Sequence, residues 1–168
     1  LPWIDRVPAV LDMFFPGMEG GTAMADILFG DADPSGRLTF SWPERLEDSP
    51  VYELATQDVD NVNYEDSLMV GYRYFDTFGK EVLYPFGSGL SYSDFAFEDM
   101  DVGLNAADKS ITVSATIENV TEDPSIVPGK EVMEVYVSIP DGKLEQPYQK
   151  LVDYEKSEEL AAGESQQI

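Results

Sequence analysis

Two stretches in the second half of the chain alternate apolar and polar residues almost strictly. Ser110-Ile111-Thr112-Val113-Ser114-Ala115-Thr116-Ile117-Glu118 is one, and Val132-Met133-Glu134-Val135-Tyr136-Val137-Ser138-Ile139 is the other. A period of two predicts half-buried antiparallel strands. Phe95 to Val102 and Lys150 to Glu155 complete a set of short strands. The turns expected between them are Pro128-Gly129 and Asp141-Gly142, and Ala161-Ala162-Gly163-Glu164-Ser165 reads as a turn before another strand. Strands at this spacing predict a β-sandwich, and a seven-stranded sandwich takes ~100 residues. Only residues 95–168 remain for it, so the sandwich is expected to be cut short.

The first 42 residues have a different texture. Ala9-Val10-Leu11-Asp12-Met13-Phe14-Phe15 is an apolar run closed by Pro16-Gly17, which predicts a buried strand ending in a turn. Ala23 to Phe29 suits a short amphipathic helix capped by Gly30. Asp33-Pro34-Ser35-Gly36 reads as a turn, and Arg37 to Trp42 alternates up to Pro43, as a second strand would. A single strand–helix–strand unit cannot cover a parallel sheet on both faces. The segment is therefore expected to need neighbouring sequence. Between Pro43 and Tyr92 the chain is rich in Pro, Gly, Asp and Tyr, with Val70-Gly71-Tyr72-Arg73-Tyr74-Phe75-Asp76 and Tyr84-Pro85-Phe86-Gly87-Ser88-Gly89-Leu90-Ser91-Tyr92 as its aromatic blocks. Here we expect a long connection pinned by buried rings, with direct ligand contact as the alternative.

Composition narrows the chemistry. The 168 residues contain no Cys and no His, which excludes disulfides, zinc sites built on those residues, and Ser-His or Cys-His nucleophiles. A net charge of −23 repels phosphate backbones and anionic lipid surfaces but not a neutral sugar, so neither nucleic acid nor membrane is an expected partner. No apolar run approaches the ~18 residues of a spanning helix. The absence of an initiator Met and of a signal peptide reads as a section of a longer chain, with cytoplasmic and secreted locations both open. Asp58 to Asp60 and Asp99 to Asp101 suggest calcium only weakly, because neither has EF-hand spacing.

Three groups of segments, taken together and in order, resemble glycoside hydrolase family 3, the β-glucosidase type. The first is Leu1-Pro2-Trp3, Phe15-Pro16-Gly17-Met18-Glu19-Gly20-Gly21, Ala25 to Asp31 and Pro34 to Leu38. The second is the pair of aromatic blocks above. The third is Pro128-Gly129-Lys130-Glu131-Val132 to Val137 with Leu151 to Tyr154 and Ala162 to Ser165. The stretch from Gln57 to Asp66 matches least and reads as a variable loop. The resemblance implies a partial α/β layered sandwich over residues 1–92, followed by a truncated all-β fibronectin type III-like sandwich over 93–168. It also implies a TIM-like barrel elsewhere in the enzyme, a carbohydrate substrate such as a β-glucoside, no cofactor, and a retaining mechanism using two carboxyl groups. The family's nucleophile lies in the barrel and its acid/base Glu upstream of this segment. No catalytic residue is therefore assigned here.

One candidate substrate-binding residue remains. Glu19 follows the first predicted strand and precedes the helix, and ligands of open α/β sheets sit at strand carboxyl ends. The alternative is a helix-start carboxylate that holds the turn. Asp26 and Asp31 are read as stabilising local structure. Trp3 and Trp42 could stack on sugars, but packing against bordering strands is the stronger expectation. A rival to the hydrolase reading is a non-catalytic carbohydrate-binding or adhesion sandwich, which would leave residues 1–92 without a purpose. Sugar specificity and oligomeric state stay open.

Overall fold

A computed structural model describes residues 1–53, 67–140 and 142–168. Among the described residues, α-helices α1 (Gly20–Phe29) and α2 (Tyr72–Thr77) precede five strands: β1 (Phe95–Asn105), β2 (Ser110–Asn119), β3 (Val132–Val137), β4 (Lys150–Lys156) and β5 (Ser165–Gln167). The strands form two sheets, β1-β2-β5 and β3-β4. The chain divides into two compact units. One holds Leu1–Pro8, Arg37–Ser88 and Tyr136–Asp153, and the other holds Ala9–Gly36, Gly89–Val135 and Tyr154–Ile168. The expected turn at Asp141 and the loop from Gln57 to Asp66 fall outside the described residues.

The second unit is built on the β1–β2 hairpin. Phe95 pairs with Asn119 and Asn105 with Ser110, all antiparallel. The register slips by one residue between Glu98 and Asp101, a β-bulge that places Asp99 at φ 48°. Asp tolerates that left-handed geometry better than most residues. Alternation decides burial on β2: Ala115 and Ile117 are fully buried. The same face becomes open toward the hairpin tip, where Ile111 is 62% and Leu104 76% exposed. β5 adds to the other edge of β2, with Ala115 and Ile168 exchanging reciprocal hydrogen bonds of 2.9 and 3.0 Å. The turn before β5 is the expected one, with Gly163 at φ 81°.

Asn119 is 1% exposed and every polar group it carries is used. Its Nδ2 donates to the Leu160 carbonyl at 2.8 Å and to Ser93 Oγ at 3.3 Å. Its Oδ1 accepts from the Thr121 N–H and hydroxyl. Its backbone N–H donates to the Glu164 carbonyl, and its carbonyl accepts from the Gly163 N–H. A saturated buried amide of this kind fixes one arrangement of the loops around it.

The helix read at Ala23–Phe29 is present and one turn longer. It ends at Gly30 in the left-handed region, with the Asp31 N–H bonded to the Asp26 carbonyl at 2.7 Å, the six-to-one closure of a Schellman motif. At its start Gly20 is buried against Pro16, and a Cβ there would lie 2.7 Å from the proline ring.

Two predicted strands are not found. Residues 9–15 form no ladder. The Phe14 N–H donates to Asp12 Oδ1 and Phe14 sits at φ 44°, so an Asp-driven turn breaks the extended run. Burial fails there too, since Phe15 is fully exposed. Residues 37–42 do run beside 83–88, but only as separate contacts. Leu38 bonds to Ser88 and Gly87, and Trp42 forms one isolated antiparallel bridge with Tyr84. Pro43 and Pro85 lack the N–H groups a continuous ladder needs. The strand–helix–strand reading is corrected accordingly: the helix is flanked by irregular chain.

In the first unit, the expected connection holds a short helix, α2, over Tyr72–Thr77. α2 carries Phe75, only 4% exposed, and is surrounded by rings. The Tyr72 ring lies 4.8 Å from Phe86 and 5.9 Å, edge-on, from Tyr136. Pinning by rings was the expectation, and Tyr72 and Phe75 meet it.

Two stability predictions follow from this packing. Asn119→Ala removes in one step the amide bonds to the Leu160 carbonyl, the Ser93 hydroxyl and Thr121, and should cost roughly 2–4 kcal/mol, read by urea denaturation. The buried apolar side chains are confined to Met69, Phe75, Ala115, Ile117 and Leu160 among the described residues, while Phe15, Met18, Leu28 and Phe29 lie open. The chain alone should therefore melt broadly and below ~60 °C; a sharp calorimetric transition above that temperature would contradict the assignment of those open faces.

Candidate functional site

Glu19 is the N-terminal flanking residue of α1, as the sequence predicts. Gly17 at φ 70° turns the chain into that position. The Glu19 carbonyl accepts the Ala23 N–H at 2.9 Å, and its Oε2 accepts the Thr22 hydroxyl at 3.2 Å. Its side chain makes no capping bond to the helix backbone and is exposed. Because residues 9–15 form no strand, the expected strand carboxyl end beside Glu19 is absent. Fully exposed Met18 flanks it.

Asp33 is the most heavily used carboxylate in the second unit, and sequence reasoning saw in it only a turn residue. It accepts the Ser91 hydroxyl at 2.8 and 2.9 Å and the Tyr92 N–H at 2.7 Å, with a longer bond of 3.4 Å from the Ser93 N–H. The Tyr92 hydroxyl donates to the Ile27 carbonyl at 2.7 Å, tying the same peptide to α1. Gly129 approaches so closely that a Cβ there would lie 2.9 Å from Asp33 Oδ2. No local pattern announces this carboxylate, because its partners are 58 to 60 residues away.

A shallow polar recess of about 190 Å³ lies beside this latch, lined by Asp31, Asp33, Lys130 and Glu159 among others. Asp31 thus faces a recess, while the Asp26 carbonyl closes the helix end. Among the described residues no group of three or more Asp or Glu is arranged to hold a metal ion. Asp99 sits at the β-bulge, and Asp58 to Asp60 lie outside the described residues. No described helix is long and apolar enough to cross a membrane.

Trp42 packs as expected, 5.5 Å from the Phe40 ring and edge-on to Tyr84 at 6.5 Å. Trp3, at 42% exposure, does not meet the packing expectation.

A general acid of a glycosidase needs a carboxyl whose pKa is raised, usually by burial. The three displaced carboxyls all move the other way. A side-chain hydrogen bond from Arg45 holds Asp48 below the ordinary range, and hydroxyl donors do the same for Asp108 (Ser110) and Asp123 (Ser125). Asp48 in turn raises Arg45, mainly through the 2.9 Å guanidinium bond. These are surface turn and cap interactions, unsuited to proton delivery.

Residues 1–92 match the model of the glycosyl hydrolase family 3 C-terminal domain. The chain belongs to glycosyl hydrolase family 3. Residues 131–168 match the fibronectin type III-like domain, so the α/β part is followed by a fibronectin-like sandwich, as the resemblance implies. Thermostable β-glucosidase B of Acetivibrio thermocellus is 40% identical over 158 residues, covering 93% of this chain and 20% of that protein. β-Glucosidase A of Butyrivibrio fibrisolvens is 40% identical over 180 residues, covering 98% and 21%. The structure of β-glucosidase 3B from Thermotoga neapolitana in complex with glycerol superposes with a TM-score of 0.90 at 37% identity, covering 100% of this chain and 23% of that one. This family 3 chain spans about a fifth of the length of the curated relatives it matches.

The depressed carboxyls give a pH prediction. A carboxyl lowered in the folded state stabilises the fold above its unfolded pKa of ~3.9, and that contribution is lost as pH falls through the lower folded value. Ser110→Ala removes the main donor to Asp108. In an NMR titration the Asp108 midpoint should then rise toward the ordinary carboxylate range.

Proposed function

We propose that this chain is the scaffold section of a retaining β-glucosidase-type hydrolase that releases terminal β-linked sugars. The observation that carries the reading is likeness to β-glucosidases along nearly the whole chain, in sequence and in backbone, at 40% identity and a TM-score of 0.90. An adhesion sandwich gives no account of residues 1–92, which carry the family's C-terminal domain match. In this reading residues 1–92 are the family's α/β part and 93–168 its fibronectin-like part. The reacting carboxylates, set ~5–5.5 Å apart as retention requires, come from a barrel and an upstream segment beyond these residues. The chain's own contribution is to hold the loop at Pro16–Glu19, with Glu19 facing the sugar cleft. Support for that last role is the exposed carboxylate at a helix start, which accepts the Thr22 hydroxyl and has further lone-pair sites for sugar hydroxyls.

The test is a graft. The chain alone, purified and given an aryl β-glucoside, should show no turnover. Placed into Acetivibrio thermocellus β-glucosidase B in exchange for the matching segment, it should sustain hydrolysis. Turnover by the chain alone, or a folded but inactive graft, would refute the reading. Within the graft, Glu19→Ala should raise KM about tenfold if the side chain meets substrate, and leave it unchanged if it only holds the turn.

A further inference from the structure

We propose that the fibronectin type III-like region of this protein serves as a clamp on helix α2. α2 has six residues, starts at Tyr72 after Gly71 and has no side-chain cap. Helices shorter than ~12 residues are not stable on their own in water. Something outside the helix must hold it, and within the first unit Tyr136–Asp153, part of the fibronectin-like match, supplies the holding groups.

Three polar side chains of α2 are engaged from one short segment, by Tyr148, Gln149 and Leu151. The Tyr148 N–H donates to Thr77 Oγ1 at 2.9 Å. Gln149 Nε2 donates to Asp76 Oδ2 at 3.0 Å. The Leu151 N–H donates to the Tyr72 hydroxyl at 2.7 Å. Tyr72 and Asp76 are four residues apart, so they share a helix face. The Tyr136 ring closes edge-on against Tyr72, completing the grip. The opposite side of α2 is fixed from within, by buried Phe75 and the Tyr74–Phe78 ring pair at 5.2 Å. A sugar-binding role for this segment would need free hydroxyls and amides. Here the Tyr72 and Thr77 hydroxyls already accept clamp bonds and the Gln149 amide already donates one.

Hydrogen exchange with mass spectrometry on the full chain at low temperature tests this. The β1–β2 hairpin, in the other unit, is the internal reference for global opening. Tyr72→Phe and Thr77→Val each remove one acceptor while keeping the ring or the branch. Each should speed exchange of the 72–78 amides about fivefold relative to the hairpin, the change expected from one lost hydrogen bond. Unchanged exchange in α2 overturns the proposal. Should either variant unfold, Asp76→Ala and Gln149→Ala serve instead. A clamp predicts that the double variant exchanges no faster than either single one, and additive effects overturn it. Protection of residues 136–151 by added β-gluco-oligosaccharides would assign that segment to ligand binding and also overturn it.

Discussion

The peptide Ser91–Ser93 is where the second unit is tied together. On one side the Asp33 carboxylate takes up the Ser91 hydroxyl and the Tyr92 N–H, while the Tyr92 hydroxyl reaches the last turn of α1. On the other side Ser93 Oγ donates to the Val127 carbonyl and accepts from the Asn119 amide, which also grips Leu160. Three residues thus join α1, the hairpin, and the loops before β3 and β5. A charged acceptor with several donors is stronger than its neutral counterpart, and a saturated amide beside it leaves no alternative arrangement of equal energy. The close seat of Gly129 on Asp33 adds a steric condition: the loop that leads into β3 can pass only if that residue has no Cβ.

Much of this fold could be read from residue order, but unevenly. β2 and β3 were legible because a side-chain period of two is written directly into Ser110–Glu118 and Val132–Ile139. The end of α1 was legible because Gly30 provides the left-handed cap. Residues 9–15 misled because apolar content was read as burial, whereas Asp12 turns the chain two residues later. α2 was hidden because Tyr, Phe and Gly favour strands or turns when judged alone. It is a helix only by virtue of what packs on it. The candidate site divides the same way. Glu19 sits where its sequence neighbours put it, at a helix start. The Asp33 latch could not be seen, since nothing local to Asp33 indicates an acceptor for Ser91.

The charge of the chain follows from the same logic. Thirty-three acidic residues against ten basic ones give many carboxylates no cation to face. Those with clear partners find them nearby: Asp48 with Arg45, Asp108 with Ser110, Asp123 with Ser125. Such pairs close turns and caps, and by stabilising the ionised form they push acidity the wrong way for a proton donor. Asp33 likewise spends its oxygens on structure. Where a carboxylate is engaged by two or three donors, fewer of its roughly four lone-pair sites remain for a substrate hydroxyl. A carboxylate in this chain that could still serve a sugar must be lightly bonded and solvent-facing, and Glu19, with one 3.2 Å bond from Thr22, is such a group. Hydrogen-bond occupancy leaves Glu19 open to the proposed role, as it leaves other exposed carboxylates, and the strand that first motivated that role is no part of its support.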